Sequence, residues 1–263
     1  MCHDISFSAN TVEFITEIIP NAVLDGQLLV DFSITSHVLS MSHRKCLVVI
    51  NPDGQPKICQ FEWGLIASYM DSPEKIKQYR IQMANARSEK VFDKASAWYR
   101  IRKQRCLIAV EGIYEHREIK GWKNKVPYYI RLKNSKQMLL PGFYNYSPIP
   151  NPETGEMVGT FSIITRAANK IMMQIHNHGP NKHRMPVFMA PEMAVKWIDP
   201  DLTDLDMQGM LSYEIPSEEL KAHPVFTIRT TKERPDGKNR QVEYKWDNLP
   251  PLGIDTSPVN NLF

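Results

Sequence analysis

Apolar residues in this chain come in short runs closed by turn signals, and that pattern limits the fold more than any other feature. Cys46-Leu-Val-Val-Ile50 is β-branched and continuous, and it stops at Asn51-Pro-Asp-Gly54. Phe61-Glu-Trp-Gly-Leu-Ile66 is apolar and aromatic. Residues 105–115 read as one strand ending at a polar tip, residues 127–132 and 137–144 as a pair of strands, residues 158–165 as another and 224–229 as a last one. Helical stretches are brief. They are expected at residues 8–19, at 72–83 with Ser72 as N-cap, at 167–174 and at 191–198, with an acidic turn at 199–206. Residues 147–155 form a surface loop, and 19 prolines against 12 glycines fit many such loops. Strands dominate and do not alternate regularly with helices, so the expectation is one α+β domain rather than a series of βαβ units.

Composition narrows the class. The 263 residues are 42% hydrophobic, enough for a real core, and the net charge of +3 permits a nucleic-acid partner without requiring one. No apolar run approaches the ~18–20 residues of a membrane span, and no charged-then-apolar leader opens the chain, so a cytoplasmic protein is expected. The four cysteines form no CxxC pair, which suits a reducing compartment. His176, His178 and His183 cluster, but H-x-H-x4-H fits no zinc motif and no Cys or carboxylate nearby completes a set. No metal and no other cofactor is expected.

Cys2 is the residue with unusual chemical potential. If Met1 is removed, Cys2 carries a free α-amine and a thiol on adjacent carbons. The amine condenses with an aldehyde to a Schiff base, and the thiolate can close a five-membered thiazolidine ring on the same carbon. The two groups titrate at roughly 7.7–8.0 and about 8.5. Position 2 alone carries little weight, since most second-position cysteines are incidental. Glu115 ends an apolar strand, where a carboxyl tends toward a raised pKa, or it is an ordinary exposed glutamate. Asn85 holds an amine or carbonyl with its amide, or caps a helix. His176 is a catalytic imidazole or a packing residue. Arg87 and Arg184 contact phosphate or are surface arginines.

Taken together these stretches resemble the SOS-response-associated peptidase family, the SRAP domain, from Met1 to about Pro191, with weaker echoes to about Arg229. The matching pieces are Cys2; Trp63-Gly64-Leu65; Asn85-Ala86-Arg87 with Glu89; Arg105-Cys106-Leu107-Ile108; Gly112-Ile113-Tyr114-Glu115; and Ile175-His176, followed by Arg184-Met185-Pro186-Val187. Each is weak alone, and their common order is the signal. The sequence departs in three places. Cys2-His3-Asp4 puts a carboxylate where the family often has an arginine that contacts phosphate. Ala67 and Tyr69 stand where a proline and a second tryptophan are usual. An insertion, residues 177–182, separates His176 from the Arg-Met-Pro segment and leaves His183 as the alternate histidine.

The resemblance implies a mixed, mostly antiparallel, barrel-like β-sheet with short flanking helices over residues 1–230, and a tail over 231–263 that is loosely structured or packed on the domain. It implies a monomeric sensor and shield of abasic sites in single-stranded DNA, acting through a thiazolidine crosslink, with self-processing peptidase and abasic-site lyase chemistry. Cys2 would supply amine and thiolate, Asn85 would orient the amine, and Glu115 would move protons and help release Met1. His176 would assist opening of the sugar ring. Arg87 and Arg184 would hold flanking phosphates, and Trp63 and Tyr69 would stack on bases or wedge the strand, or else pack in the core. Two rival readings are an N-terminal-nucleophile amide hydrolase using Cys2 and a non-catalytic single-stranded DNA-binding module.

Overall fold

The computed structural model describes residues 2–7, 10–26 and 35–255. Thirteen strands are found among them. They are β1 (Asp4–Phe7), β2 (Val23–Leu24), β3 (Thr35–Leu39), β4 (Lys45–Ile50), β5 (Lys57–Trp63), β6 (Asn85–Arg87), β7 (Arg105–Val110), β8 (Gly112–Arg117), β9 (Val126–Leu132), β10 (Met138–Tyr146), β11 (Gly159–Ala167), β12 (Arg184–Pro186) and β13 (Leu220–Pro224). Six short α-helices flank them: α1 (Thr11–Ile18), α2 (Pro73–Tyr79), α3 (Ala97–Ile101), α4 (Lys170–Ile175), α5 (Pro191–Trp197) and α6 (Asp204–Ser212).

Five of the strands close on themselves. Strand β5 pairs with β4, β4 with β7, β7 with β10, and β10 with β11, all antiparallel. Strand β11 then returns to β5 in parallel, with Phe161 opposite Trp63. Closure removes the free edges that would otherwise expose backbone donors and acceptors. A second, open sheet runs β13-β9-β8-β1-β3. The largest core cluster joins Ile5, Ile113 and Ile130 of this sheet to Val48, Cys106, Ile108 and Phe161 of the barrel. The fold is therefore a single α+β domain of mixed, mostly antiparallel barrel-like sheet with short helices.

Local signals hold where neighbours decide the conformation. The Cys46–Ile50 strand, the 159–167 strand and the α5 helix form as their residues suggest. Ser72 caps α2, its hydroxyl accepting from Lys75 N at 3.3 Å, although the α-helix ends at Tyr79 and continues only as a 3₁₀ turn to Ala84. The expected helix at residues 8–19 is α1, and Ser8 and Ala9 lie outside the described residues.

Four expectations give way to tertiary structure. Residues 105–115 are two strands in two different sheets, broken at Glu111, whose N–H donates to Ser6 O at 2.8 Å. The break needs Gly112, because a Cβ there would lie 2.3 Å from the Tyr129 ring. Strands β9 and β10 do not pair with each other; β9 joins β8 and β13, while β10 joins β7 and β11. The acidic turn at 199–206 leads into α6, where Thr203 is the N-cap and Asp204 and Asp206 occupy the first turn. The last strand ends at Pro224 instead of starting there.

The tail as far as Asp255 packs on the domain. Trp246, Leu249 and Leu252 lie against the main core. Arg117, fully buried on β8, donates to the carbonyls of Pro250, Pro251 and Ile254 at 2.7–2.8 Å, to the Asp255 carboxylate at 3.0 Å and to Tyr128 Oη at 3.0 Å. Removing this guanidinium leaves several buried acceptors unsatisfied. Arg117→Met is expected to lower stability by about 3–5 kcal/mol and to open the tail to trypsin at Lys245. Denaturant melts and timed proteolysis check this, and an unchanged midpoint with unchanged cleavage would show that the tail does not hang on Arg117.

Candidate functional site

Cys2 leads directly into β1, which lies between β3 and β8 with Asp4 opposite Tyr114. The residue is completely buried, and its carbonyl accepts from Asn85 Nδ2 at 2.8 Å. Asn85 can make that bond because β6 runs parallel to the barrel strand β11, Asn85 opposite Ile163. Asn85 Oδ1 is buried with no hydrogen-bond partner among the described residues, so an acceptor stays open beside the Cys2 backbone. Burial pushes the Cys2 thiol well above its ordinary pKa, and the neighbouring charges of Glu115 and Asp4 push it the same way. The thiol at rest is protonated at neutral pH.

Glu115 is the second buried member. It shares the side of β8 that carries Ile113 and Arg117, and it is 5% exposed. Oε1 has no hydrogen-bond partner among the described residues, and Oε2 lies 4.0 Å from His176 Nε2. Desolvation raises the carboxyl pKa to about 8, with Asp4 adding to it and Arg229 opposing. Glu115 is therefore mostly a neutral acid at pH 7. His176 ends α4, and its ring is fixed through Nδ1, which lies 2.9 Å from Arg184 O and 3.2 Å from Arg184 N. Burial lowers its pKa to about 4, so the imidazole is neutral beside a neutral carboxyl. A buried acid and a neutral base thus lie side by side, their nearest atoms 4.0 Å apart. His183 has no such position. It sits in the left-handed region at φ 60° and lines a separate hollow with Glu118 and Trp122.

A third acidic group behaves in the opposite way. Burial alone would raise the Asp4 pKa, but hydrogen bonds from His37 and Arg229 outweigh it and hold Asp4 below the usual carboxylate range. His37 Nε2 lies 2.7 Å from Oδ1, and the Arg229 fork spans both oxygens at 3.0 and 2.5 Å. The sequence marked Asp4 only as a departure and gave no sign of Arg229 or His37.

Beside these residues lies a cleft of about 810 Å³, lined by His3, Asn85, Arg87, Lys90 and Trp98 among others. Arg87 is exposed there and donates to Asn181 Oδ1 of the inserted loop. Arg184 is occupied. Its guanidinium makes a two-pronged pair with Glu89 at 2.6 and 2.9 Å and bonds Thr165 O at 2.7 Å. Trp63 does not offer a base a free face: it is fully buried, stacks on Phe161 and donates to Ala84 O at 2.9 Å. Its stacking role gives way to core packing. Tyr69 is exposed, edge-on to Tyr79. Among the described residues no cluster of three or more metal-ligating side chains occurs, and no helix is long and apolar enough to cross a membrane.

The family model described as SOS response associated peptidase (SRAP) matches residues 26–228. The chain is 29% identical to the abasic site processing protein YoqW of Bacillus subtilis (strain 168), over 69% of this chain and 75% of that protein. It is 26% identical to the abasic site processing protein HMCES of Gallus gallus, over 65% of this chain and 53% of that one. A crystal structure of a Bacteroides thetaiotaomicron protein superimposes with a TM-score of 0.71 at 28% identity, covering 86% of this chain and 92% of that chain. A phage-related protein of Bordetella bronchiseptica shares the fold, with a TM-score of 0.63 at 19% identity.

The Glu115 environment has a stability signature. A carboxyl whose pKa rises from 4.5 to about 8 on folding binds more protons in the native state. Its contribution is fully present below about pH 4.5 and is lost as pH climbs through about 8. Glu115→Gln removes that loss. Its unfolding free energy relative to wild type, read from denaturant melts, is expected to climb between about pH 4.5 and 8 and then level off, by an amount on the order of a few kcal/mol. A pH-independent difference would mean that Glu115 titrates normally.

Proposed function

The chain belongs to the SOS-response-associated peptidase (SRAP) family, and from that premise we propose that it captures abasic sites in single-stranded DNA by covalent reaction at Cys2. The observation that carries the reading is the meeting of Cys2, Asn85, Glu115 and His176, which come from four separate parts of the sequence. The relatives' designation as abasic site processing proteins supports the substrate class.

The chemistry follows from the protonation states. Hydrolysis of the Met1–Cys2 bond, assisted by Glu115, releases methionine and gives Cys2 its α-amine. His176, neutral near pH 7, takes the anomeric hydroxyl proton of the closed sugar and returns it to the ring oxygen as the ring opens to the aldehyde. The Cys2 amine adds to the aldehyde carbon. Glu115 gives its proton to the departing hydroxyl, water leaves, and a Schiff base remains. The resulting carboxylate then takes the thiol proton as Sγ bonds to the same carbon and closes the thiazolidine. One water is lost, and Glu115 ends as it began. A buried thiol and a neutral carboxyl are the starting states this sequence needs. Asn85 holds the Cys2 carbonyl, leaving its own oxygen for the new amine. Arg87 at the cleft rim holds a phosphate, and the exposed Tyr69 ring offers a surface for a base. An amine left without its thiol would favour strand cleavage by β-elimination, the lyase branch.

An abasic oligonucleotide on a denaturing gel tests the reading. Wild type should lack Met1 by intact mass and give a heat-stable adduct. Cys2→Ala should give only a borohydride-trapped Schiff base. Glu115→Gln and His176→Ala should form the stable adduct about 10²–10⁴-fold more slowly, with His183→Ala near wild type. The wild-type rate should also fall as pH rises through about 8, where Glu115 loses its proton. A stable adduct with Cys2→Ala at the wild-type rate would sink the mechanism.

Strand form gives a second test. An unpaired sugar needs no stacking partner broken, so the adduct yield on single strands should exceed that on intact duplex and fall with added salt. Equal yields on both would argue against single-strand capture.

A further inference from the structure

The segment after β13 carries an arginine that the reaction scheme leaves unused. Arg229 lies one residue beyond the stretch matched by the family model. Its Nε and Nη2 are spent on Asp4, whereas Nη1 has no partner among the described residues and the side chain is 45% exposed. The segment is braced on both sides of it. Arg240 donates to Ile228 O at 2.7 Å and to Thr230 O at 3.2 Å. Val225 N bonds Pro127 O at 2.8 Å, and Val225 and Ile228 pack with Tyr114 and Tyr129. Asp4, buried and two residues from Cys2, aims the guanidinium from inside. The charge of Arg229 acts on His3, Glu115 and His116 alike, which places it at the Cys2 end of the open sheet.

A long side chain anchored at one edge of its fork and open at the other loses little freedom when an anion binds the open edge. We propose that Arg229, presented by Asp4, is a phosphate-binding residue for the DNA strand at the Cys2 site, opposite in origin to Arg87 of the cleft. The inference rests on the reading of the site as one that takes abasic DNA. A purely structural Arg229 would neutralise Asp4 and do nothing more.

Removing Arg229 alone would strand a buried carboxylate, so both arms of the test carry Asn at position 4. Asp4→Asn is compared with Asp4→Asn/Arg229→Gln for reversible binding to a single strand holding a tetrahydrofuran residue, which cannot open to an aldehyde. One lost phosphate contact on a single strand lowers the steepness of log K against log salt by about 0.7. Relative to Asp4→Asn, the double variant should show that drop and bind about tenfold more weakly at low salt. Equal slopes in the two variants would overturn the role of Arg229, provided wild type still forms its adduct on a true abasic strand. Wild type without any adduct would overturn the reading of the site, and this inference with it.

Discussion

The site depends on one costly arrangement: a carboxyl group buried without a charged partner. Glu115 has an open oxygen, a neutral imidazole at 4.0 Å and almost no contact with water. Burying an ionised carboxylate in such a place is prohibitive, so the group keeps its proton instead. The same burial keeps the Cys2 thiol protonated and the His176 ring unprotonated. One physical cause, desolvation, thus sets three protonation states at once, and each is the state that proton transfer at neutral pH would start from.

Asp4 shows what the fold does when it wants a charge in nearly the same place. It is as buried as Glu115, yet two hydrogen-bonding partners, His37 and Arg229, hold it ionised. The contrast lies in the partners rather than in depth. Asp4 lies next to Glu115's strand in the open sheet, and its permanent charge helps keep the Glu115 proton in place, while Arg229 works against it. Two neighbouring carboxyls are thereby pushed apart in acidity, which is the usual basis for dividing acid and charge-bearing roles.

Much of the architecture was readable because it is local. The Cys46–Ile50 strand, the Ser72 cap and the Pro191 helix are decided by neighbours in sequence. So, through the resemblance, were the residues that meet at the site. What the sequence hid was decided at a distance. The chain turns from one sheet to the other at Glu111 because Ser6 and Tyr129 wait there. The barrel closes by a parallel pairing of β5 with β11 that no strand pattern announces. Helix α6 was masked because first-turn aspartates and a capping threonine look like turn residues when read alone. Trp63 could be read as a stacking platform or as a core residue, since an aromatic residue beside a glycine carries no mark of which side faces water, and it is the core residue.

The spacing of the motif pieces also acquires a physical reason. Asn85 and Glu89 sit four residues apart, and Arg184 follows His176 by eight. Glu89 takes the Arg184 guanidinium in a two-pronged pair, and the Arg184 backbone fixes the His176 ring through Nδ1. Arg184 also bonds Thr165 O on β11, the strand that carries Asn85 through Ile163. The segment that holds Cys2 and the segment that orients the histidine are therefore tied to each other and to the barrel by one arginine. A guanidinium with planar, fixed donors can serve carboxylate, carbonyl and backbone geometry together, which a lysine could not. Arg184 acts here as a brace for His176. With both Nη groups of Arg184 committed to Glu89 and Thr165, the exposed guanidiniums beside the site are those of Arg87 on β6 and of Arg229 in the segment after β13.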